Sequence, residues 1–313
     1  MKRKPRIALA LGGGGARGCA HIGVLKVLQR EEIPIDFIAG TSIGAVVGSI
    51  YATTANADMV EKRFYDWLNS DEFRKSGLDL FKRKEPAENF FGQVATNIKQ
   101  RLVVNLAQSK LSLVGGKRLR HAMDFLIPDG RIEDTKIPFY PIASNLLNGE
   151  QVIFREGDLR SIVGASASIP GFLPPYKVNG YLLVDGSVVC PIPVVPARDL
   201  GADIVIAIDV GQKLNDNPNL DNVINVMFQT QHMTARHYNL HLLNQADVVI
   251  RPDVGLVHWS EFKLMNYMVE EGERVANEAI PFIQQLIKDK THSWKNMFVK
   301  QDELEVVKVG PEV

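Results

Sequence analysis

The segment GGGGARG at residues 12–18 and the segment GTSIG at residues 40–44 decide the fold of this chain. Each follows a short apolar run, RIALAL at 6–11 for the first and IPIDFIA at 33–39 for the second. Short apolar runs that end in glycine are typical of buried parallel strands. Helical patterns follow both glycine segments, so residues 6–55 predict the order strand, helix, strand, helix. That order is typical of an α/β protein with a parallel sheet.

The pentapeptide Gly40-Thr41-Ser42-Ile43-Gly44 has the G-x-S-x-G pattern of a nucleophile elbow. In an elbow the serine lies on a sharp turn, and the flanking glycines let the strand and the following helix approach closely. The hydroxyl then lies near a helix N-terminus, where the helix dipole favours a negatively charged oxygen. A glycine-rich turn with an incidental serine is the alternative. The position directly after a predicted strand favours Ser42 as the nucleophile of an acyl-ester hydrolase.

The glycine run before the first helix allows a dinucleotide-binding interpretation. Gly13, Gly15 and Gly18 satisfy G-x-G-x-x-G between a strand and a helix. A dinucleotide site also needs an acidic residue at the end of the second strand to bind the ribose. The carboxylate of that strand, Asp36, lies near its start, and a pyrophosphate cradle does not require Arg17. An oxidoreductase is therefore disfavoured.

An oxyanion hole is the second interpretation of the same run. Consecutive glycines let backbone N–H groups approach a ligand closely, and the following helix N-terminus adds positive potential. The negative oxygen of a tetrahedral intermediate requires such donors.

The base that activates the serine is less clearly marked. None of the seven histidines lies in a motif typical of a catalytic base; they are His21, His121, His232, His237, His241, His258 and His292. Residues 176–184 contain Asn-Gly between two apolar runs, which predicts a β-hairpin. Asp185, Gly186 and Ser187 follow its second arm directly. Burial beside an apolar acyl chain would raise the pKa of Asp185 and make it a better base, although a simple Asp-Gly turn is the alternative.

The remaining chain is predicted as follows. Residues 57–130 have helical patterns and few strand signals, so we expect a helical cap or insertion. Within them, residues 82–120 carry nine basic and two acidic side chains, which fits either contact with an anionic membrane or a solvated helix face. Further strands are expected at 137–144, 151–154, 203–209 and 246–251, further helices at 222–244 and 260–290, and a loose tail or short edge element at 291–313.

Composition excludes several classes of protein. Apolar residues make up 45% of the 313 residues, and 36 basic side chains balance 36 acidic ones, so the overall charge gives no sign of a nucleic-acid partner. Cys19 and Cys190 are not in a metal-binding or redox spacing, which fits a reducing compartment. No apolar run reaches the length of about 18 residues that a spanning helix needs. We expect a cytoplasmic protein that does not cross the membrane, with peripheral contact at the inner membrane surface as an open alternative.

Together, these motifs resemble those of the patatin-like phospholipases. The resemblance rests on residues 13–18, on residues 40–44 and on Asp185-Gly186-Ser187, with further similarity to the bacterial branch at 20–25 and 167–175. It implies a three-layer patatin-like fold: a mainly parallel central sheet, helices on both faces and the helical cap. The acyl hydrolase domain would span 6–210, followed by a mainly helical extension at 211–313 with one further strand.

The resemblance also implies the chemistry. Ser42 and Asp185 would form a dyad that cleaves fatty-acyl esters of phospholipids, lysophospholipids or neutral lipids through an acyl-enzyme, with no metal or cofactor. The N–H groups of Gly14 and Gly15, with their neighbours, would hold the oxyanion. Arg17 would brace the loop, and binding of a phosphate head group is its alternative role. Ser187 departs from the usual glycine or alanine and could hydrogen-bond Asp185 and lower its basicity. A catalytically weak or inactive lipid-binding module and an esterase for small soluble esters are the alternatives.

Overall fold

The computed structural model describes residues 4–76, 116–178, 180–213, 220, 223–293 and 307–309. Within these residues a central sheet of nine strands is flanked by helices. The strands are β1 Ile7–Leu11, β2 Phe37–Thr41, β3 Phe139–Asn145, β4 Gln151–Ile153, β5 Tyr176–Val178, β6 Tyr181–Asp185, β7 Ile204–Ile208, β8 Val248–Ile250 and β9 Val307–Val309.

The sheet is mainly parallel. Its order is β5–β6–β3–β2–β1–β7–β8–β9, with β4 paired to β3 outside this path. Strands β1, β2, β3, β7, β8 and β9 run parallel. Strands β4 and β6 run antiparallel to β3, and β5 pairs antiparallel with β6 as the predicted hairpin. The parallel strands therefore share one carboxyl edge, where ligand sites of open α/β sheets form.

The helices cover both faces of this sheet. They are α1 Ala20–Arg30, α2 Ile43–Thr54, α3 Ala57–Asn69, α4 Asp71–Ser76, α5 Gly116–Leu126, α6 Leu159–Ser166, α7 Val194–Asp199, α8 Val223–Leu243 and α9 Met265–Ser293. The α/β class predicted from residues 6–55 is confirmed. Alternation along β1 explains the two layers, because Leu9 lies in the core under α1, α2 and α9, whereas Ala8 and Ala10 face a second core that includes α7 residues.

The C-terminal part of the chain is packed into the same sheet. β8 pairs with β7, and β9 pairs with β8 as the short edge element that the sequence allowed. Helix α9 packs against α1, and a side chain at Gly23 would overlap the Val269 backbone of α9. The division into a 6–210 domain and a 211–313 extension stays a prediction.

The expected cap at 57–130 is helical where the structure describes it, in α3, α4 and α5. Residues 77–115 lie outside the described residues. Most of the basic stretch at 82–120 belongs to that part, so membrane contact there also stays a prediction.

Candidate active site

The register of the sheet brings Ser42 and Asp185 together. Thr41 ends β2 opposite Ile142 of β3, and Asp185 ends β6 opposite Ala143, the next residue of β3. Two strand ends that pair with neighbouring positions of one strand must lie close together. Ser42, the residue after Thr41, therefore lies next to Asp185, although 143 positions separate the two in the chain.

The elbow has the strained geometry that its sequence predicts. Ser42 has φ 55° and ψ −124°, a positive φ that non-glycine residues rarely adopt. A methyl group at Gly40 would lie 2.7 Å from the Gly44 carbonyl oxygen, and one at Gly44 would overlap the Leu11 carbonyl oxygen. Both positions therefore require glycine, and helix α2 begins directly at Ile43 with its N-terminus beside the serine.

Ser42 donates a hydrogen bond to Asp185, with Oγ and Oδ2 2.6 Å apart. Both residues are buried. Burial raises the pKa of Asp185 to about 6, while hydrogen bonds from Ser42 and Ser187 act in the lowering direction. A carboxylate with a pKa near neutrality, in contact with a hydroxyl, can accept its proton.

The turn after Asp185 holds its second oxygen. The backbone N–H of Ser187 donates to Oδ1 at 2.8 Å, and the Ser187 side chain also hydrogen-bonds the carboxylate. Gly186 lies against the Ile142 carbonyl, where a side chain would overlap the backbone. The serine that departs from the family pattern therefore stabilises the ionised form of Asp185.

The four glycines of the loop divide into two pairs. The N–H groups of Gly12 and Gly13 donate to the carbonyls of Ile208 and Pro191, at 3.1 and 2.9 Å. Gly13 is therefore not available as an oxyanion donor. Among the described residues no acceptor is found for the N–H groups of Gly14 and Gly15, which makes these two the candidate donors.

Close packing explains the other glycines of this loop. A methyl group at Gly13 would overlap Ser187 Oγ and lie 3.2 Å from Ser42 Cβ. At Gly18 it would overlap the Ile43 side chain at the start of α2. Glycine at these positions thus lets the loop approach the serine and the elbow helix.

Arg17 connects the glycine loop to two neighbouring segments of the chain. Its buried guanidinium donates to the Val210 carbonyl from Nε at 3.0 Å and to the Val257 carbonyl from Nη1 at 2.9 Å. Burial lowers the pKa of Arg17 to about 10, and Asp209 acts in the opposite direction. These bonds tie the glycine loop to the segments after β7 and β8.

No histidine among the described residues hydrogen-bonds Ser42 or Asp185. His21 is fully buried, with Nε2 2.8 Å from the Gly12 carbonyl oxygen. Burial lowers the pKa of its imidazole to about 4, so the ring is neutral at pH 7 and can donate to that carbonyl. His21 thus supports the glycine loop, and the dyad has no histidine partner here.

Two further serines hold the backbones of Ser42 and Asp185, and no sequence motif marked them. The Ser42 N–H donates to Ser166 Oγ at 3.0 Å, and Ser166 donates to the Ile142 carbonyl at 2.5 Å. Ser144 donates to the Asp185 carbonyl at 2.8 Å. Both serines are buried, so they fix the backbones of the two strand ends.

An apolar cavity of about 60 Å³ opens beside Ser42. Its lining includes Gly15, Val46, Leu126, Ile169, Trp259 and Phe262. Phe172 and Trp259 pack edge to face at its wall, with ring centroids 4.9 Å apart. Trp67, another wall residue, is fixed because its Nε1 donates to the Ala122 carbonyl at 2.9 Å. The cavity is small, so its apolar walls suit only the part of an acyl chain that lies next to Ser42.

Asp36 is not available for a ribose. Its Oδ2 accepts from the Ile7 N–H at 2.7 Å, and its own N–H donates to the Ile7 carbonyl. Asp36 therefore fastens the start of β1, at the edge of the sheet opposite the glycine loop. The dinucleotide interpretation lacks its acidic partner in the structure as well.

The described residues contain neither a metal-binding cluster nor a membrane-crossing helix. No group of three or more His, Cys, Asp or Glu with metal-binding geometry is found in the described part of the chain. No helix in the same residues is long and apolar enough to cross a membrane.

Comparison with known proteins gives one family match. The model of the patatin-like phospholipases matches residues 9–198. Patatin-like phospholipase domain-containing protein 6 of Mus musculus is 34% identical over 209 residues, which cover 66% of this chain and 14% of the mouse protein. An uncharacterized NTE family protein of Mycobacterium bovis is also 34% identical over 209 residues, covering 49% of that protein. The chain thus matches half or less of the length of these relatives.

Solved structures that align with this chain are more distant in sequence. VipD from Legionella pneumophila is 15% identical with a TM-score of 0.44, covering 92% of this chain and 67% of VipD. Human GIVD cytosolic phospholipase A2 is 12% identical with a TM-score of 0.45, covering 91% of this chain and 60% of the human chain.

Proposed function

Because the chain belongs to the patatin-like phospholipase family, we propose that it cleaves fatty-acyl esters of phospholipids or lysophospholipids through a Ser42–Asp185 dyad. A patatin-like phospholipase is a carboxylic ester hydrolase of lipid metabolism. The observation that carries the proposal is the hydrogen bond of 2.6 Å between Ser42 Oγ and Asp185 Oδ2 on a strained elbow.

Acylation begins when Ser42 Oγ attacks the ester carbonyl carbon and Asp185 accepts the hydroxyl proton. The carbonyl oxygen becomes negative and accepts hydrogen bonds from the N–H groups of Gly14 and Gly15. Collapse of this intermediate breaks the bond to the alcohol, and Asp185 returns the proton to the leaving oxygen. The fatty acyl group is then esterified to Ser42, with the carbons next to the ester in the apolar cavity.

Deacylation repeats these steps with water as the nucleophile. Asp185 accepts a proton from the water, whose oxygen attacks the acyl carbon, and the same N–H groups hold the oxyanion. The bond to Ser42 Oγ breaks, the proton returns to Oγ, and the fatty acid leaves. A base with a pKa near the working pH serves both half-reactions, because it must accept and donate the same proton.

The direct test compares turnover of a phospholipid and of short- and long-chain p-nitrophenyl esters by three variants. Ser42→Ala is expected to lower turnover to background, and Asp185→Asn to lower kcat by about 10²–10⁴-fold, the usual contribution of a general base. Ser161→Ala, in the first turn of helix α6 and five residues before Ser166, is the matched control and is expected to keep full activity.

Four outcomes would contradict the proposal. Full turnover by folded Ser42→Ala would show that Ser42 is not the nucleophile. Full turnover by Asp185→Asn would show that another group acts as the base. Absence of turnover in the wild type would favour a lipid-binding module. Hydrolysis of short soluble esters alone would favour the small-ester esterase.

The finer assignments belong to the same proposal. Cys19 and Cys190 are both free and buried, which supports the cytoplasmic location. Membership of the bacterial branch rests on residues 20–25 and 167–175, since mouse and mycobacterial relatives are equally identical to the chain.

A further inference from the structure

Highly exposed apolar side chains lie at one edge of the sheet. Leu256 is 75% exposed, Val223 74%, Leu147 69% and Met227 65%. Leu147 lies in the turn after β3, Val223 and Met227 lie in the helix after β7, and Leu256 lies in the loop after β8. These three strands are parallel to β2. All four residues therefore lie at the same edge of the sheet as Ser42, which comes directly after β2. We call these four residues the apolar rim.

Helix α8 carries its rim residues beyond the sheet. Its C-terminal end is anchored by the buried residues Leu242 and Leu243. Tyr238 Oη donates to the Val189 carbonyl at 3.2 Å. Because Val189 lies four residues after Asp185, this turn of the helix packs beside the loop that follows Asp185. A helix of 21 residues is about 31 Å long, whereas five-residue β7 spans about 17 Å. The N-terminal half, with Val223 and Met227, therefore projects past the carboxyl edge.

Helix α8 carries no carboxylate that an anionic surface would repel. It has no acidic residue between Val223 and Leu243, and it contains one arginine, Arg236. Its contribution to docking is therefore the exposed apolar area of Val223 and Met227 rather than a basic face.

The rim also borders the active site. Leu256 precedes Val257, whose carbonyl accepts the Arg17 hydrogen bond that braces the glycine loop. Two residues further along, Trp259 lines the acyl cavity. A surface that covered the rim would therefore cover the entrance to Ser42.

We propose that the apolar rim docks on the surface of a phospholipid bilayer and brings the Ser42 cavity to the lipid. The proposal rests on the proposed function, because that function supplies the reason for a lipid partner. It assigns the docking surface to residues outside the basic stretch at 82–120. Docking of this kind is peripheral, and a single ester bond of a lipid at the surface can reach the dyad without the protein crossing the membrane.

The experiment uses the full chain in the Ser42→Ala background, so that binding is measured without turnover. Co-sedimentation with vesicles of mixed phosphatidylcholine and phosphatidylglycerol compares this protein with the same protein carrying Val223→Glu and Met227→Glu. The double change is expected to lower the vesicle partition coefficient at least about tenfold, since each side chain no longer leaves water. Leu256→Glu, on a different loop, is expected to lower it in the same direction.

Met59→Glu is the matched control. Met59 is 47% exposed, but it lies at the start of α3, where the Ala57 N–H donates to Gln29 near the end of α1, away from the carboxyl edge. This control is expected to bind vesicles like the parent. In the catalytically intact background, the rim variants are expected to keep soluble-ester hydrolysis and fluorophosphonate labelling.

Unchanged vesicle binding by both rim variants would overturn the proposal, as would an equal loss in Met59→Glu. A fall in molar mass by light scattering, with vesicle binding unchanged, would instead assign the rim to contact between two copies of the chain. If the proposed function is wrong, the wild type itself shows neither fluorophosphonate labelling nor soluble-ester turnover. That result distinguishes failure of the proposed function from failure of docking.

Discussion

Burial and hydrogen bonding change the pKa of Asp185 in opposite directions. Burial raises its pKa, whereas the bonds from Ser42 and Ser187 stabilise the ionised form, and the result is a pKa of about 6. In the proposed mechanism Asp185 accepts the serine proton, which only the ionised carboxylate can do. That mechanism therefore predicts that catalysis depends on pH in the range where Asp185 titrates.

We predict an acidic limb in the pH profile of kcat/KM with an apparent pKa of about 6. Below that pH the native carboxyl binds a proton, so kcat/KM should fall about tenfold for each further pH unit. The measurement is hydrolysis of a soluble p-nitrophenyl ester across acidic and neutral pH, with stability checked at each value. A limb near the ordinary pKa of aspartate, about 3.9, would contradict the role of burial.

Gly13 and Ser187 are coupled by contact. A methyl group at Gly13 would overlap Ser187 Oγ, although the Gly13 N–H would keep its bond to Pro191. We predict that Gly13→Ala lowers kcat and that Ser187→Gly in the same chain restores part of the loss. A coupling of about 0.5–3 kcal/mol is usual for residues in contact.

A double-mutant cycle on kcat/KM, with thermal unfolding of all four proteins, measures this coupling. Additive effects of Gly13→Ala and Ser187→Gly would show that the two positions do not meet during catalysis.

At the scale of elements, α1 supports the glycine loop through His21. The fully buried ring of His21 lies 2.8 Å from the Gly12 carbonyl, two residues before the candidate donor Gly14. We predict that His21→Leu lowers kcat by about 10–100-fold with little change in KM, because a misplaced oxyanion donor acts on the transition state. His21→Gln, whose amide can donate to the same carbonyl, should retain more activity.

Steady-state kinetics of both variants, with circular dichroism to verify folding, test the support by His21. If folded His21→Leu kept the kcat of the wild type, the ring would have no part in positioning the loop.

The sequence predicts local elements well and contacts between distant elements poorly. The elbow and the hairpin of β5 and β6 follow from glycine positions and apolar periodicity within a few residues. The meeting of Ser42 with Asp185 depends on the register of both strand ends against β3, which no local pattern encodes. Ser166 and Ser144 are undistinguished in sequence, because their role arises only when α6 and β3 reach the dyad.

The same limit applies to the glycine loop. Its composition predicts backbone donors, but only the fold reveals that Pro191 accepts the Gly13 N–H while Gly14 and Gly15 remain as candidates. Arg17 as a brace was predicted from the loop, whereas its acceptors, Val210 and Val257, lie after β7 and β8.

At the scale of the whole molecule, the C-terminal third contributes to the sheet and to the core. β8 pairs with β7, α9 covers α1, and the Val257 carbonyl holds Arg17. We predict that a chain ending at residue 210 fails to fold, since it would expose the apolar edge of β7 and the face of α1. Circular dichroism and thermal unfolding of the 1–210 chain check this.

A cooperatively folded 1–210 chain that hydrolyses esters would support the division at 210 and contradict the single sheet as the folding unit. The full chain is the matched control.

Formation of an acyl-enzyme on Ser42 is best tested by peptide mass spectrometry after reaction with a fluorophosphonate probe. We predict one probe adduct, on the peptide that contains Ser42, with labelling absent in Ser42→Ala and slowed in Asp185→Asn. An adduct on another residue, or equal labelling of Ser42→Ala, would show that Ser42 is not the nucleophile.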